Sequence, residues 1–181
     1  DFSLSRGLGD VYKRQACEDI LKRLTYWGYN TGGYGTPEPL CRMLPSFAPM
    51  YLTKNANYMS DEQFEYCDVF DPVVQQKMRE VIQYEIGKQA GNSTLIGYYW
   101  TDTPQWDLER ARKKRGTDWV SMVRELPAGA PGKVRYEQFL ADGGHSDEAF
   151  LRLIARELYM VIGEETRRLA PDVLIFGERY L

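Results

Sequence analysis

Histidine and cysteine are scarce in this sequence. Its 181 residues include one histidine, His145, and three cysteines, Cys17, Cys41 and Cys67. The cysteines are widely and irregularly spaced and form no Cys-x-x-Cys pair, so we expect neither a zinc site nor a disulfide framework. We expect the cysteines to be buried small apolar residues. His145 lies in a glycine-containing loop before a helix, so we interpret it as a surface residue rather than a catalytic base.

Three further features are missing, and each excludes a class of protein. No apolar run approaches the ~20 residues that a membrane-spanning helix needs. No glycine-rich phosphate loop follows any predicted strand, which argues against nucleotide binding. The net charge is −3 with both signs interspersed, and a nucleic-acid-binding protein would favour a basic stripe. The basic cluster from Arg110 to Arg115 has the spacing of a solvated helix face. We therefore expect no membrane or nucleic-acid partner, no metal and no cofactor.

The two ends of the sequence differ from its middle. The segment Gly9–Gln15 resembles one translated reading frame of the transposase end sequence used to prepare sequencing libraries. We therefore expect residues 1–15 to be a loose, non-native tail with few contacts, and residues 16–181 to form the folded part. At the other end, the strand-like run from Val173 stops at Leu181, so we expect the domain to be truncated at both ends.

The pattern of apolar residues predicts alternating helices and strands. Four predicted helical segments are residues 16–27, residues 71–89 starting at the Asp71-Pro72 pair, part of residues 106–140, and a helix from Asp147 to Pro171. Four strands are predicted at Tyr29–Thr31, Phe47–Leu52, Leu95–Thr101 and Val173–Phe176. Residues 55–70 are predicted to be a long loop. Strands that are apolar on consecutive residues and alternate with helices indicate a parallel sheet covered on both faces.

Two α/β architectures satisfy this pattern, the (β/α)8 barrel and the doubly wound sheet. The missing phosphate loop weakens the nucleotide-binding form of the second. Polar aromatic residues also cluster just after the predicted strands, at Tyr34, Trp100, Trp106 and Tyr180. In a barrel those strand ends form the active-site face. The predicted fold class is therefore α/β, an incomplete (β/α)8 barrel with parallel strands and at least four strands in an open arc.

Short motifs spread along the chain support the barrel. They are Trp27-Gly28-Tyr29-Asn30-Thr31, Phe70-Asp71-Pro72, Leu95-Ile96-Gly97-Tyr98-Tyr99, and Leu126-Pro127-Ala128 followed by Ala130-Pro131-Gly132-Lys133. In that order they resemble the agarase-like glycoside hydrolases of family 50 and, more distantly, the family 42 β-galactosidases. The resemblance covers residues 16–181. It implies a retaining (β/α)8 barrel with two catalytic glutamates, at the ends of the fourth and seventh strands.

The sequence departs from that family at the expected acid/base. Those families have an Asn-Glu pair after the strand that corresponds to Leu95–Thr101, whereas this chain has Asp102 and Thr103 in the two positions. A threonine hydroxyl is too weak an acid to protonate a leaving oxygen near neutral pH. Three alternatives remain: Asp102 acts as the acid, Glu178 at the end of the last strand does so, or the barrel binds sugar without cleaving it. The resemblance implies that the second glutamate lies two strands beyond Leu181.

Each candidate also has a structural explanation. Thr101-Asp102-Thr103-Pro104 is a good turn signal, and Glu178 could form an ion pair with Arg179. The predicted substrate-binding residues are Asn30, Tyr34, Trp100, Thr103, Trp106 and Arg179, with Trp100 and Trp106 proposed to stack on pyranose rings, although such aromatic residues are also common in protein cores. We expect Asp102, Thr103, Trp106 and Arg179 to converge on one open face.

Three hypotheses of function follow. The first is a glycoside hydrolase acting on a galactan-like or other polysaccharide, and the second is a non-catalytic carbohydrate-binding barrel. The third is a doubly wound domain that binds another small ligand. The sequence identifies no sugar, no linkage and no oligomeric state, and the resemblance alone implies a secreted or periplasmic protein.

Overall fold

The computed structural model describes residues 2–33, 35–50, 67–102 and 106–179, with side chains given for residues 11–33, 35–50, 67–100 and 106–177. The described strands form one parallel sheet in the order β1-β2-β3. Their bounds are Ser46–Met50 for β1, Leu95–Asp102 for β2 and Leu174–Arg179 for β3. Because all three run in the same direction, their carboxyl ends lie at one edge of the sheet.

Seven helices accompany this sheet in the described part of the chain. They are α1 (Phe2–Tyr26), α2 (Glu38–Cys41), α3 (Pro72–Lys88), α4 (Leu108–Arg115), α5 (Trp119–Glu125), α6 (Pro131–Ala141) and α7 (Asp147–Leu169). Side-chain caps fix several of their starts. The Asp71 carboxylate accepts a hydrogen bond from Val73 N at 2.8 Å, and Ser146 Oγ accepts one from Ala149 N at 3.1 Å. The predicted starts of α3 and α7 are therefore confirmed.

The main core lies between the sheet and the helices α3 and α7. On the sheet side, Ala48, Met50 and Tyr98 are buried. On the helix side, a regular stripe of apolar residues meets them; the fully buried members are Val74, Met78, Ile82, Phe150, Ile154 and Leu158. Strand residues alternate between the two faces, so Phe47 and Phe176 lie on the other face, where their rings pack edge to face at 4.5 Å. Phe176 is still 49% exposed, so that face is open.

Gly97 allows β2 and β3 to approach each other closely. A Cβ atom at this position would overlap the backbone carbonyl of Leu174 on the neighbouring strand. The close packing of the two strands therefore explains the glycine in the Leu95–Tyr99 motif, since no other residue fits without moving a strand.

One prediction about the amino-terminal region was wrong, and another stays a prediction. The predicted strand at Tyr29–Thr31 is reduced to a single parallel bridge between Gly32 and Ser46, and Tyr29 is exposed, so no burial holds an extended segment there. The residues of the predicted loose tail are helical from Phe2 onward. The described side chains of this segment are exposed nevertheless, as Val11 and Tyr12 are by 65% and 72%. That residues 1–15 are non-native stays a prediction.

Several other expectations can be compared with the described residues. Cys17 and Cys67 are buried, Cys41 is half-buried, and all three are free thiols. His145 is exposed. Residues 55–66 of the predicted long loop lie outside the described part of the chain. Among the helices that the structure describes, none is long and apolar enough to cross a membrane. The described residues contain no group of three or more histidine, cysteine, aspartate or glutamate side chains that could hold a metal ion.

Candidate functional site

The carboxyl ends of β2 and β3 bring four predicted site residues together. In the register of these strands, Trp100 is paired with Glu178, and Asp102 with Arg179. Adjacent strands are about 4.8 Å apart, so the backbone positions of Asp102 and Glu178 belong to one small region. The two candidate acids, predicted from separate parts of the sequence, therefore lie on neighbouring strands at the same edge of the sheet.

The pairing at this edge is irregular. The register shifts on both sides of the Trp100–Glu178 pair, and Gly177 has a φ of +72°. Such a φ is readily adopted by glycine alone. Bulges redirect the residues that follow them and are common next to active sites. Here the bulge lies directly before Glu178.

Trp100 and Trp106 lie in an aromatic layer between the sheet and the helices. The ring of Trp100 stacks on Tyr159 of α7 with centroids 5.3 Å apart, and Trp106 stacks on Trp119 of α5, also at 5.3 Å. The Trp106 Nε1–H donates to Tyr159 Oη at 3.0 Å. These contacts give both tryptophans a role in packing, and their predicted role in sugar stacking stays a prediction. Tyr159, which joins them, was missed because the helical pattern does not reveal the partner across the layer.

Asn30, another predicted binding residue, is not brought to this edge. Asn30 is exposed, accepts a hydrogen bond from Thr31 Oγ1 at 2.9 Å, and precedes the bridge from Gly32 to the first residue of β1. It therefore lies at the amino-terminal end of the sheet, opposite Asp102. Tyr34 and Thr103 lie outside the described residues.

Asp118 fixes the helical insert that follows β2. Its fully buried carboxylate caps α5 by accepting hydrogen bonds from Val120 N at 2.8 Å and Ser121 N at 3.1 Å. It also accepts hydrogen bonds from Ser121 Oγ and Arg112 Nε, both at 2.6 Å. Burial raises the pKa of Asp118, but the hydrogen bonds from Ser121 and Arg112 outweigh it and hold that pKa below the ordinary value. The carboxylate therefore stays ionised and anchors α4 to α5.

A second carboxylate joins this insert to α7. Asp147, in the first turn of α7, forms an ion pair with Arg112 Nη2 at 3.1 Å and another with Arg124 of α5. The Arg124 Nε–H donates to Tyr136 Oη of α6 at 2.8 Å. Four helices are thus tied together on the flank of the candidate site. Sequence reasoning missed this network, because its members are spread over 35 residues and carry no local motif.

A cavity in the described part of the chain lies beside β1 and the end of α3. It has a volume of about 560 Å³ and is bordered by β1 from Ser46 to Pro49 and by the end of α3, where Glu85 pairs with Lys88. The end of α3 leads into the start of β2, so this cavity lies toward the amino-terminal ends of the strands. Its lining includes neither Asp102 nor Glu178, although it reaches Tyr99 of β2.

The fold is similar to that of two agarases of known structure. An exo-β-agarase superposes with a TM-score of 0.71 at 15% sequence identity, over 94% of this chain and 28% of that chain. The agarase AgWH50C superposes with a TM-score of 0.73 at 16% identity, over 93% of this chain and 30% of that chain. No protein-family model and no curated protein matches the sequence. The chain therefore has an agarase-like fold and spans less than a third of the length of either agarase.

This similarity confirms the sequence-based resemblance to agarases at the level of the fold. Identities of 15% and 16% show no more than that, because one fold carries many activities.

Proposed function

We propose that this chain is part of a (β/α)8-barrel glycoside hydrolase that acts on a galactan-like polysaccharide. The proposal is supported first by the fold, since three parallel strands backed by helices superpose on agarases. In this proposal the open face of the sheet, with Phe47 and Phe176, faces the interior of the barrel. The strand ends at Asp102 and Arg179 then belong to the active-site face.

One observation carries the catalytic part of the proposal. Asp102 and Glu178 lie at the carboxyl ends of neighbouring strands, where the register pairs Asp102 with Arg179. Glycoside hydrolysis needs one carboxylic acid to protonate the departing oxygen and one carboxylate to attack the sugar carbon or to activate water. We assign the acid to Asp102 or Glu178, and the nucleophile to a residue beyond Leu181, as the family resemblance implies.

The alternative is a barrel that binds carbohydrate without cleaving it. The observation that favours it is Thr103, which stands where the related hydrolases have their acid/base glutamate. In that case Asp102 and Glu178 would hydrogen-bond sugar hydroxyl groups.

The test uses the complete protein that carries this chain, assayed on agar-type and β-galactoside oligosaccharides. Replacing the acid, by Asp102→Asn or by Glu178→Gln, should lower the rate by ~10²–10⁴. The controls are Asp172→Asn and Glu164→Gln, which make the same chemical changes at exposed positions. They should leave the rate unchanged.

A second substrate identifies the acid. In an aryl galactoside with a dinitrophenolate leaving group, that group departs without protonation. The variant that lacks the acid should therefore recover most of its rate on this substrate. A variant that is equally impaired on both substrates has lost another function. If neither substitution lowers the rate tenfold, the assignment of the acid is wrong. If sugar binds and no substrate turns over, the binding barrel is correct.

A further inference from the structure

Helix α4 carries an unusual concentration of positive charge. Five of its eight residues are cationic and one is acidic, in a chain whose net charge is −3. The cationic residues are Arg110, Arg112, Lys113, Lys114 and Arg115. A favourable interaction with the helix dipole explains a preference for cations in the last turn, but it does not require so many of them.

One of the five cations of α4 forms ion pairs with described residues. Arg112 pairs with Asp118 and Asp147. The other four make no ion pair with any described residue. On other helices, Arg14 pairs with Glu18, Lys22 with Asp19 and Arg42 with Glu38, each three or four positions away. Such pairs stabilise a solvated helix face, but the cations of α4 outnumber its one acidic residue, Glu109.

Three of these four cations lie on the solvent side of the helix. At 100° per residue, Arg110, Lys113 and Lys114 fall within one 100° arc. Leu108 and Ala111, which are 7% and 0% exposed, define the buried side. Because Arg112 is held by two carboxylates, the helix is fixed and its basic face keeps a constant orientation.

The location of α4 connects this face to the candidate active site. The helix begins six residues after Asp102, and Trp106 just before it packs against Trp119 and Tyr159. A polysaccharide bound at the carboxyl ends of the strands would therefore have a route past the basic face.

We infer that the basic face of α4, formed by Arg110, Lys113 and Lys114, binds sulfate ester groups of an anionic galactan. This inference rests on the proposed function and narrows its substrate class from galactans in general to sulfated ones. A sulfate ester stays negatively charged at all ordinary pH values, and guanidinium and ammonium groups both donate charge-assisted hydrogen bonds to its oxygens. A sulfated chain repeats this charge along its length, so it matches several cations of one helix face at once.

The experiment measures binding of the complete protein to a sulfated galactan oligosaccharide and to the same oligosaccharide after desulfation. The sulfated form should bind at least about fivefold more tightly in 50 mM salt, and the difference should shrink in 500 mM salt because the contacts are exposed and screened. Arg110→Gln/Lys114→Gln should reduce the affinity for the sulfated form about fivefold and leave the desulfated form unchanged. The matched control, Lys22→Gln/Arg23→Gln on α1, removes the same two residue types and should change neither affinity.

The outcomes separate this inference from the proposed function. Equal affinity for the two oligosaccharides, or equal effects of the two double variants, overturns the sulfate site while the galactan assignment stands. If neither oligosaccharide binds, both proposals are wrong. A single-stranded oligonucleotide and anionic lipid vesicles are included as further ligands. Tighter binding to either of these than to the sulfated galactan would show that α4 serves another polyanion and would overturn the inference.

Discussion

The side chain of Asp68 and the backbone of Gly132, 64 residues apart in sequence, are joined by a buried hydrogen bond of 2.8 Å. Gly132 lies in the first turn of α6, where its N–H has no partner within the helix. The same carboxylate accepts a hydrogen bond from Phe70 N at 3.1 Å. Asp68 therefore links the segment that leads into α3 to the start of α6.

Gly132→Ala should destabilise the protein, because an added Cβ would lie 2.5 Å from Asp68 Oδ1. Overpacking of this kind typically costs about 1–3 kcal/mol in the free energy of unfolding. The control is Gly163→Ala in α7, where a Cβ meets no atom within 4 Å and alanine favours the helix. Urea denaturation would give both values. Equal stabilities of the two variants would contradict the close contact.

The charge of Asp68 should make stability depend on pH in an unusual direction. Burial raises the pKa of Asp68 above its ordinary 3.8, although hydrogen bonds from Gly132 and Phe70 act against this shift. Above pH 3.8, and up to the raised pKa, the folded protein binds this proton more readily than the unfolded chain does. The contribution of Asp68 is therefore fully present below pH 3.8 and is lost as the pH rises through the raised value.

The measurement compares wild type with Asp68→Asn, which cannot ionise. The free energy of unfolding of wild type relative to this variant should increase between pH 7 and pH 4. Asp172→Asn, at an exposed position, serves as the control for losing a carboxylate. A relative stability that stays constant or decreases on acidification would refute the raised pKa.

Gly97→Ala tests the close approach of β2 and β3. The new methyl group would overlap the Leu174 carbonyl, so the strands must separate at the point that leads to Asp102 and Glu178. We expect a loss of about 1–3 kcal/mol. Gly87→Ala, in the exposed end of α3 with open space around it, should be neutral or stabilising. If Gly97→Ala is as stable as Gly87→Ala, the two strands are farther apart than the structure indicates.

Asp118 should show the opposite dependence on pH from Asp68. Despite the opposing effect of burial, hydrogen bonds from Ser121 and Arg112 hold its pKa below the ordinary value of 3.8. Its contribution to stability is therefore present above pH 3.8 and is lost as the pH falls through the lower, folded value. The free energy of unfolding of wild type relative to Asp118→Asn should decrease between pH 5 and pH 2. An increase over that range would contradict the assignment.

The sequence predicted those elements whose signals are local. Asp71-Pro72 and Asp147 marked the starts of α3 and α7, because an N-cap and an initial proline act within one turn of helix. The apolar run from Leu95 gave the central strand to within one residue. The predicted strand at Tyr29–Thr31 failed because a run of three residues carries no information about whether burial will hold it extended.

The contacts that shape the candidate site could not be predicted in the same way. Asp102 and Glu178 were each identified from the ends of apolar runs, but their positions relative to each other depend on a strand register that shifts on both sides of the Trp100–Glu178 pair. The partnership of Trp106 with Tyr159 joins residues 53 positions apart. Helical periodicity places Tyr159 beside the core without indicating which ring it meets.

The link between Trp106 and Tyr159 provides the last prediction. Tyr159→Phe removes the hydroxyl group that accepts the Trp106 Nε1–H, and Trp106→Phe removes the donor. If this hydrogen bond contributes to folding, the two single losses in the free energy of unfolding should not add up in the double variant. The coupling energy should be about 0.5–1.5 kcal/mol, the usual net value of one such bond. Additivity within about 0.3 kcal/mol would show that the Trp106–Tyr159 pair makes no net contribution to the free energy of unfolding.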